Sequence, residues 1–253
     1  MFKFFFTIVL LNLNVSQSFF CISEDTSLVF TASDDPCIGF DSLYVQIREG
    51  KISKQIAVLK INEVIVNIDK FFINKGGVEF KNEDWVFPLR GYNSGSIGGI
   101  NGSGYVTSGY NFFDGNKHGG HPAHDIFVHD KNQDCLDDNT NEPVDVVSMS
   151  SGVVVSLAKD WDVESELRGG KFVMIYDTFS NALFYYAHNN IVTVNVGDIL
   201  IPGDKIGEVG RSGLNAYKKR SPTHLHISYF LVNEGEITPN DIYDDLLKAK
   251  LKN

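Results

Sequence analysis

The 253-residue sequence predicts a mainly β protein, with an antiparallel β-core of sandwich or barrel type, a short helical N-terminal extension and a C-terminal helix. Two observations carry this. Short runs rich in Val, Ile, Phe and Tyr fill the second half: "HDIFVHD", "VDVVSMSSGVVVSLAK", "KFVMIYDT", "ALFYYAH", "VTVNVGD", "KIGEVG" and "HLHISYFLV". Gly, Asn and Asp punctuate them, as in strands joined by tight turns. Ahead of these runs, ten of the 23 glycines fall between Gly91 and Gly120, interleaved with Ile97, Ile100, Tyr105, Tyr110, Phe112 and Phe113. Glycine mixed with large apolar residues describes a long ordered loop that shapes a groove, not a flexible linker.

The elements follow in order. "MFKFFFTIVLLNLNVSQSFFC" has a lysine, an apolar run from Phe4 to Leu13 and the small pair Ser16 and Ser18, the plan of a signal peptide over residues 1–18 with cleavage after Ser18. About ten apolar residues fall short of the ~20 needed to span a bilayer, so no permanent membrane anchor is expected. Phe19 and Phe20 are too bulky to precede a lipidated Cys21. The mature chain is therefore expected to be exported, periplasmic or secreted, where disulfides persist. Cys21, Cys37 and Cys135 allow one bridge and three pairings.

Residues 19–84 form an extension without histidine. In "ISKQIAVLKINEVIVNIDKFFI" the spacing of Ile52, Ile56, Leu59, Ile68 and Phe72 predicts a helix, although the many β-branched residues would also suit strands, and the segment ends at the turn signal "NKGG". With no candidate site residue, the extension is expected to be dispensable for chemistry. Residues 85–253 form the main domain, and its tail "TPNDIYDDLLKAKLK" predicts a helix capped by Asn240.

A net charge of −10 and the lack of a long basic block argue against nucleic acid or acidic lipid as partners. The histidines are more telling. Four of seven stand in "HGGHPAHDIFVHD", residues 118–130; the others are His188, His224 and His226. Such clustering predicts one site assembled from distant parts of the chain. In a strand, His224 and His226 share a face while Leu225 and Ile227 face the core. His121 and Asp125, four apart where a loop enters a strand, also share a face. His, Asp and His from three positions are the number of protein ligands that a catalytic zinc site takes.

Other metal motifs fail. There is no H-E-x-x-H, Tyr229, Phe230 and Leu231 stand where a cupin-like site needs Glu, and the cysteines are too dispersed for a zinc clip. "DKNQDCLDD", residues 130–138, has Cys135 in place of a calcium loop's glycine and reads as a solvated acidic loop. His118 and His129 are expected to face solvent or support the site, and His124 to orient a ligand or face solvent.

Taken together, H-x-x-x-D at His121 to Asp125, "SGVVVSLA", "GGKFVMIYD", "YYAH", "VNVGDILIPGDKIGEVGRSG" and "PTHLHIS" resemble the lysostaphin-like (LytM-type, M23) zinc metallopeptidases, in order over residues 85–240. The resemblance implies that His121, Asp125 and His226 bind one Zn²⁺ and that His188 and His224 are the catalytic pair. It implies a lysostaphin-like β-core with long groove loops and a peptidoglycan peptide as substrate. Family members often have glycine where Ala123 and His124 stand, and "KDWDVESELRGG" and "GLNAYKKRSP" are long, which touches substrate preference more than ligands. The alternative is a catalytically silent cell-wall binding or regulatory module of the same fold, against which all five site positions are filled.

Overall fold

A computed structural model describes residues 35–252; the expected signal peptide and Cys21 lie outside the described residues. Helix α1 (Pro36–Arg48) begins where Asp35 accepts a hydrogen bond from the Cys37 amide at 2.9 Å and Pro36 fills the first turn. Helix α2 (Lys54–Asn74) begins at Ser53, whose hydroxyl accepts from the Ile56 amide. The helix expected from periodicity is thus present, but its buried stripe is Ala57, Ile61, Ile65, Ile68 and Phe72. Ile56 and Leu59, assigned to that stripe from spacing, are 46% and 71% exposed. Apolar residues occur all round this helix, so period alone leaves its facing ambiguous.

Among the described residues nine strands form one open antiparallel sheet: β1 (His124–Phe127), β2 (Asp145–Val147), β3 (Gly152–Ala158), β4 (Lys171–Asp177), β5 (Ala182–Val192), β6 (Ile199–Leu200), β7 (Lys205–Val209), β8 (His224–Asn233) and β9 (Glu236–Pro239). The main path runs β1-β8-β5-β4-β3-β6. β9 extends from β8, and β7 joins β2 to the second half of β5. The ends of the path are not paired to each other, so the sheet does not close into a barrel.

Two expectations shift. "VTVNVGD" keeps only Val192 in a strand. There the Asn195 amide donates to Asp198 at 2.7 Å and Gly197 has φ +88°, which makes a turn. At the C-terminus, Thr238 and Pro239 belong to β9, and the helix is the short α3 (Tyr243–Lys248). Asn240 does not cap it; the Asp241 carboxylate accepts from the Tyr243 amide at 2.8 Å.

Alternation divides the sheet's side chains between two cores. Val173 and Ile175 of β4, Phe184 and Tyr186 of β5, and Leu225, Ile227 and Tyr229 of β8 pack with Trp85 and Phe87 on one side. Phe172, Met174 and Tyr176, then Leu183 and Ala187, and Phe230 and Val232 pack on the other side with α1 and α2. The described part of the extension is therefore bound to the sheet by buried residues such as Phe40, Ile61 and Ile68, each adding roughly 1.5–3 kcal/mol. Cys37 is buried in this second core, and the candidate Cys37–Cys135 bridge is not formed.

The β4–β5 turn supplies a stability test. Asp177 is fully buried, its Oδ1 accepts from the amides of Phe179 and Ser180, and burial pushes its carboxyl up to about 6. A carboxyl raised by folding holds its proton longer in the native state, so its contribution is greatest below the unfolded value of 3.8 and is lost as pH rises toward 6. Asp177→Asn keeps the accepting oxygen and removes the charge. The stability of wild type relative to this variant is expected to fall by roughly 3 kcal/mol between pH 4 and 6 and to stay level above. Denaturant unfolding across that range checks it; a pH-independent difference would contradict it.

Candidate metal centre

His224, His226 and Ser228 lie on the helix side of β8, because Leu225 and Ile227 take the opposite core. β1 pairs with β8 so that Asp125 stands across from His226 and Phe127 across from His224. The Asp125 carboxylate lies 3.1 Å from His226 Nδ1 and 3.7 Å from His224 Nε2. His121 arrives from the glycine-rich loop, held by backbone hydrogen bonds with Val106, and its Nε2 is 3.3 Å from Asp125. Its Nδ1 donates to the Gly104 carbonyl at 2.9 Å, which turns Nε2 toward the site. One donor atom each from His121, Asp125 and His226 fall within 4.8 Å of one another, a set that could hold a metal ion. The expectation of a loop entering a strand at this point is met.

His188 reaches the same place by a backbone reversal. Along β5, Tyr186 faces the first core and Ala187 the second, so strict alternation would turn His188 away from the site. Instead His188 has φ +67°, and the registers of β5 with β4 and β7 both shift beside it. Bulges re-aim side chains in this way, and a non-glycine residue held there costs on the order of 1–3 kcal/mol. The Ser212 carbonyl accepts from His188 Nδ1 at 2.8 Å, and the Ser212 hydroxyl donates to Asn189. Gly213 permits the approach: it has φ +111°, and a Cβ there would lie 2.7 Å from His188 Nδ1. His188 thus stands with its ring centroid 4.9 Å from that of His224 and 5.3 Å from that of His226.

His224 is fixed similarly, Nδ1 donating to the Pro222 carbonyl at 2.7 Å. The neighbouring Thr223 hydroxyl donates to Asp130 at 2.6 Å, and Arg211 holds the Ser221 carbonyl. Burial, reinforced by the charges of His226 and His224, holds His188 well below the usual imidazole range. Burial also lowers His226, whereas the Asp125 hydrogen bond raises His121. Burial opposes ionisation of Asp125, but the hydrogen bonds of His121 and His226 outweigh it and keep the carboxyl ionised.

The other histidines divide. His129 is exposed, and His118 lines the cavity beside Tyr110. His124 neither faces solvent nor touches a candidate ligand. It is 1% exposed, stacks on Tyr105 and bonds through Nε2 to Asp241 at 2.8 Å, so it pins the turn into α3. Asp130 and Asp137 also depart from a solvated loop: both are buried, accepting from the amides of Asp134 and Cys135 and of Asn139 and Thr140.

The five residues line one end of a cavity of about 290 Å³, whose floor continues over Ser228, Phe230, Tyr185 and Met174. Its walls include Tyr110, Phe112, Leu167 and Arg168, and from α1 Tyr44 and Arg48. Sequence reasoning missed the α1 residues, although Asp35-Pro36 followed by apolar Cys37, Phe40, Leu43 and Ile47 is a readable helix start.

An open antiparallel sheet that assembles a His-Asp-His donor set beside two tethered imidazoles defines a candidate hydrolytic metal centre at the end of a groove. Residues 132–239 match the sequence model of Peptidase family M23, so this stretch of the chain is similar to that family. The match begins after His121 and Asp125 and includes His188, His224 and His226. Among solved structures, a chain assigned as the glycyl-glycine endopeptidase LytM of Ruminococcus gnavus is 28% identical over 67% of this chain and 63% of that one, with a TM-score of 0.45. The catalytic domain of the antimicrobial peptidase lysostaphin from Staphylococcus simulans is 22% identical over 51% and 81%, with a TM-score of 0.37. A zinc-containing peptidase from Vibrio cholerae is 18% identical over 70% and 41%, with a TM-score of 0.38. No curated protein matches the chain.

The geometry separates ligands from supports. His121→Ala, Asp125→Ala and His226→Ala are each expected to weaken zinc binding on the order of 10²-fold or more. His124→Ala should leave affinity unchanged and cost about 1–3 kcal/mol of stability. Zinc titration calorimetry and thermal unfolding on the four variants check this; wild-type affinity in any of the first three would contradict the donor set.

Proposed function

We propose that this protein is an exported zinc-dependent metalloendopeptidase that hydrolyses peptide cross-links of bacterial peptidoglycan. The observation that carries the reading is the convergence of His121, Asp125 and His226 with the tethered imidazoles of His188 and His224 at the end of one groove. The M23 match over residues 132–239 supports peptidase chemistry, and the resemblance of the ordered motifs supports a cell-wall peptide as substrate. No helix among the described residues is long and apolar enough to cross a membrane.

The donor set suits zinc: two imidazole nitrogens and a carboxylate oxygen, which leave room for a fourth position. Zinc, when bound, supplies a Lewis acid that polarises a carbonyl and acidifies water to a pKa of roughly 7. The protein's own groups divide the proton work. With Nδ1–H committed to Ser212, His188 presents a bare Nε2, and its burial favours the neutral ring, so it takes the proton of the attacking water. His224 Nε2, turned into the site by the hydrogen bond of Nδ1 to the Pro222 carbonyl, is placed to hydrogen-bond the carbonyl oxygen that becomes negative. No glutamate base is required.

Digestion of purified peptidoglycan by the zinc-loaded protein, with mass analysis of the products, is expected to release fragments cut at peptide bonds. His188→Ala and His224→Ala should retain zinc and lose turnover on the order of 10²-fold or more. Full activity in either would contradict its role. Binding of peptidoglycan without release of fragments by the wild type would identify the silent binding or regulatory module instead.

A further inference from the structure

We propose that the helix-side wall of the groove is a carboxylate-binding subsite, in which Arg48 from α1 and Arg168 from the loop before β4 receive a free carboxylate of the bound peptide. This rests on the reading of the cavity as a peptidase groove and names the substrate's chemistry: cross-links that carry an ionised carboxyl near the scissile bond, not neutral bridges.

Charge distribution is the first support. The chain has 32 acidic and 22 Lys and Arg residues, yet the cavity is lined by two arginines and by one carboxylate, Asp125, which belongs to the metal donor set. The state of each guanidinium is the second. Arg48 has a side chain only 16% exposed, and Glu49, 3.8 Å away, is drawn to Lys51 at 2.6 Å. Among the described residues the Arg48 guanidinium makes no hydrogen bond; it lies 5.8 Å from the centre of the Tyr44 ring. Arg168 uses Nη1 alone, on the carbonyls of His118 and Asn116, which leaves the rest of its fork for a ligand. Partly buried cations without a hydrogen-bonded carboxylate are costly, and a planar guanidinium matches a carboxylate with two parallel hydrogen bonds.

Their placement is rigid and shared. α1 is fixed by buried Phe40, Leu43 and Ile47 and by the Ser156 hydroxyl donating to Asp41 at 2.6 Å. Gly115 lies on the end of α1, where a Cβ would meet the Ile47 and Arg48 carbonyls at 2.6 and 2.4 Å, and the following residues accept from Arg168. Tyr185 lines the cavity together with both arginines, and its hydroxyl makes no hydrogen bond with a described residue. The extension thereby contributes a wall of the substrate groove.

The test compares three probes on the full chain: acetyl-tetraglycine amide, acetyl-tetraglycine with a free C-terminal carboxylate, and succinyl-tetraglycine amide, with a carboxylate at the other end. Dissociation constants are measured by NMR titration before and after zinc loading. In the metal-free protein at least one carboxylate probe is expected to bind about fivefold or more tightly than the neutral one. Arg48→Met and Arg48→Gln, two variants of different polarity so that one folding failure is not decisive, should both abolish the preference. Equal binding of all three probes, a preference that appears only with zinc, or one that survives loss of the Arg48 charge would overturn the proposal. The readout needs no turnover, so a failure of peptidoglycan cleavage is distinguishable from a failure of the subsite.

Discussion

The register of β8 between β1 and β5 is the constraint on which the rest depends. Its alternation sends Leu225 and Ile227 into one core and leaves His224 and His226 on the helix side. Pairing with β1 sets Asp125 opposite His226, and pairing with β5 sets Ala187 opposite the same residue. A slip of one residue would turn both imidazoles into the apolar core and Leu225 into the groove. Burying two imidazoles without partners while exposing leucine and isoleucine costs several kcal/mol, so the core enforces the register and the site inherits it.

Around this strand the remaining groups are held by backbone carbonyls. His121, His188 and His224 each commit Nδ1 to a carbonyl, of Gly104, Ser212 and Pro222 respectively, so each presents Nε2. Orientation by a hydrogen bond at the second ring nitrogen selects the tautomer. The two long loops, residues 159–170 and 213–222, support the same arrangement. Trp161 and Tyr217 pack across them at 5.6 Å, and the Leu214 amide donates to the Arg168 carbonyl beside the Ser212–Gly213 cradle.

What was legible in the sequence was local. H-x-H on a strand, a loop-borne H-x-x-x-D and an ordered glycine-rich loop follow from period and turn chemistry, and the structure has them. Clustering of the histidines placed His188 with the site, but its role was legible only through the resemblance, because alternation in "YYAH" points it the wrong way and a positive φ reverses it. His124 was misread because its partner, Asp241, is 117 residues distant. Arg48 and Tyr44 were missed because nothing local joins α1 to the histidines; the link is the shared helix-side core with Phe172, Met174 and Phe230. Where a contact is made by packing between distant segments, residue type and spacing carry little signal of it.

In the proposed centre three protein donors hold the metal while two further histidines stand beside it unbound. The most direct measurement is an anomalous difference map at the zinc absorption edge from crystals of the zinc-loaded chain. One peak is expected at about 2 Å from His121 Nε2, an Asp125 carboxylate oxygen and His226 Nδ1, with the Nε2 atoms of His188 and His224 beyond bonding distance. A peak bound by His188 or His224, or one away from Asp125, would contradict it.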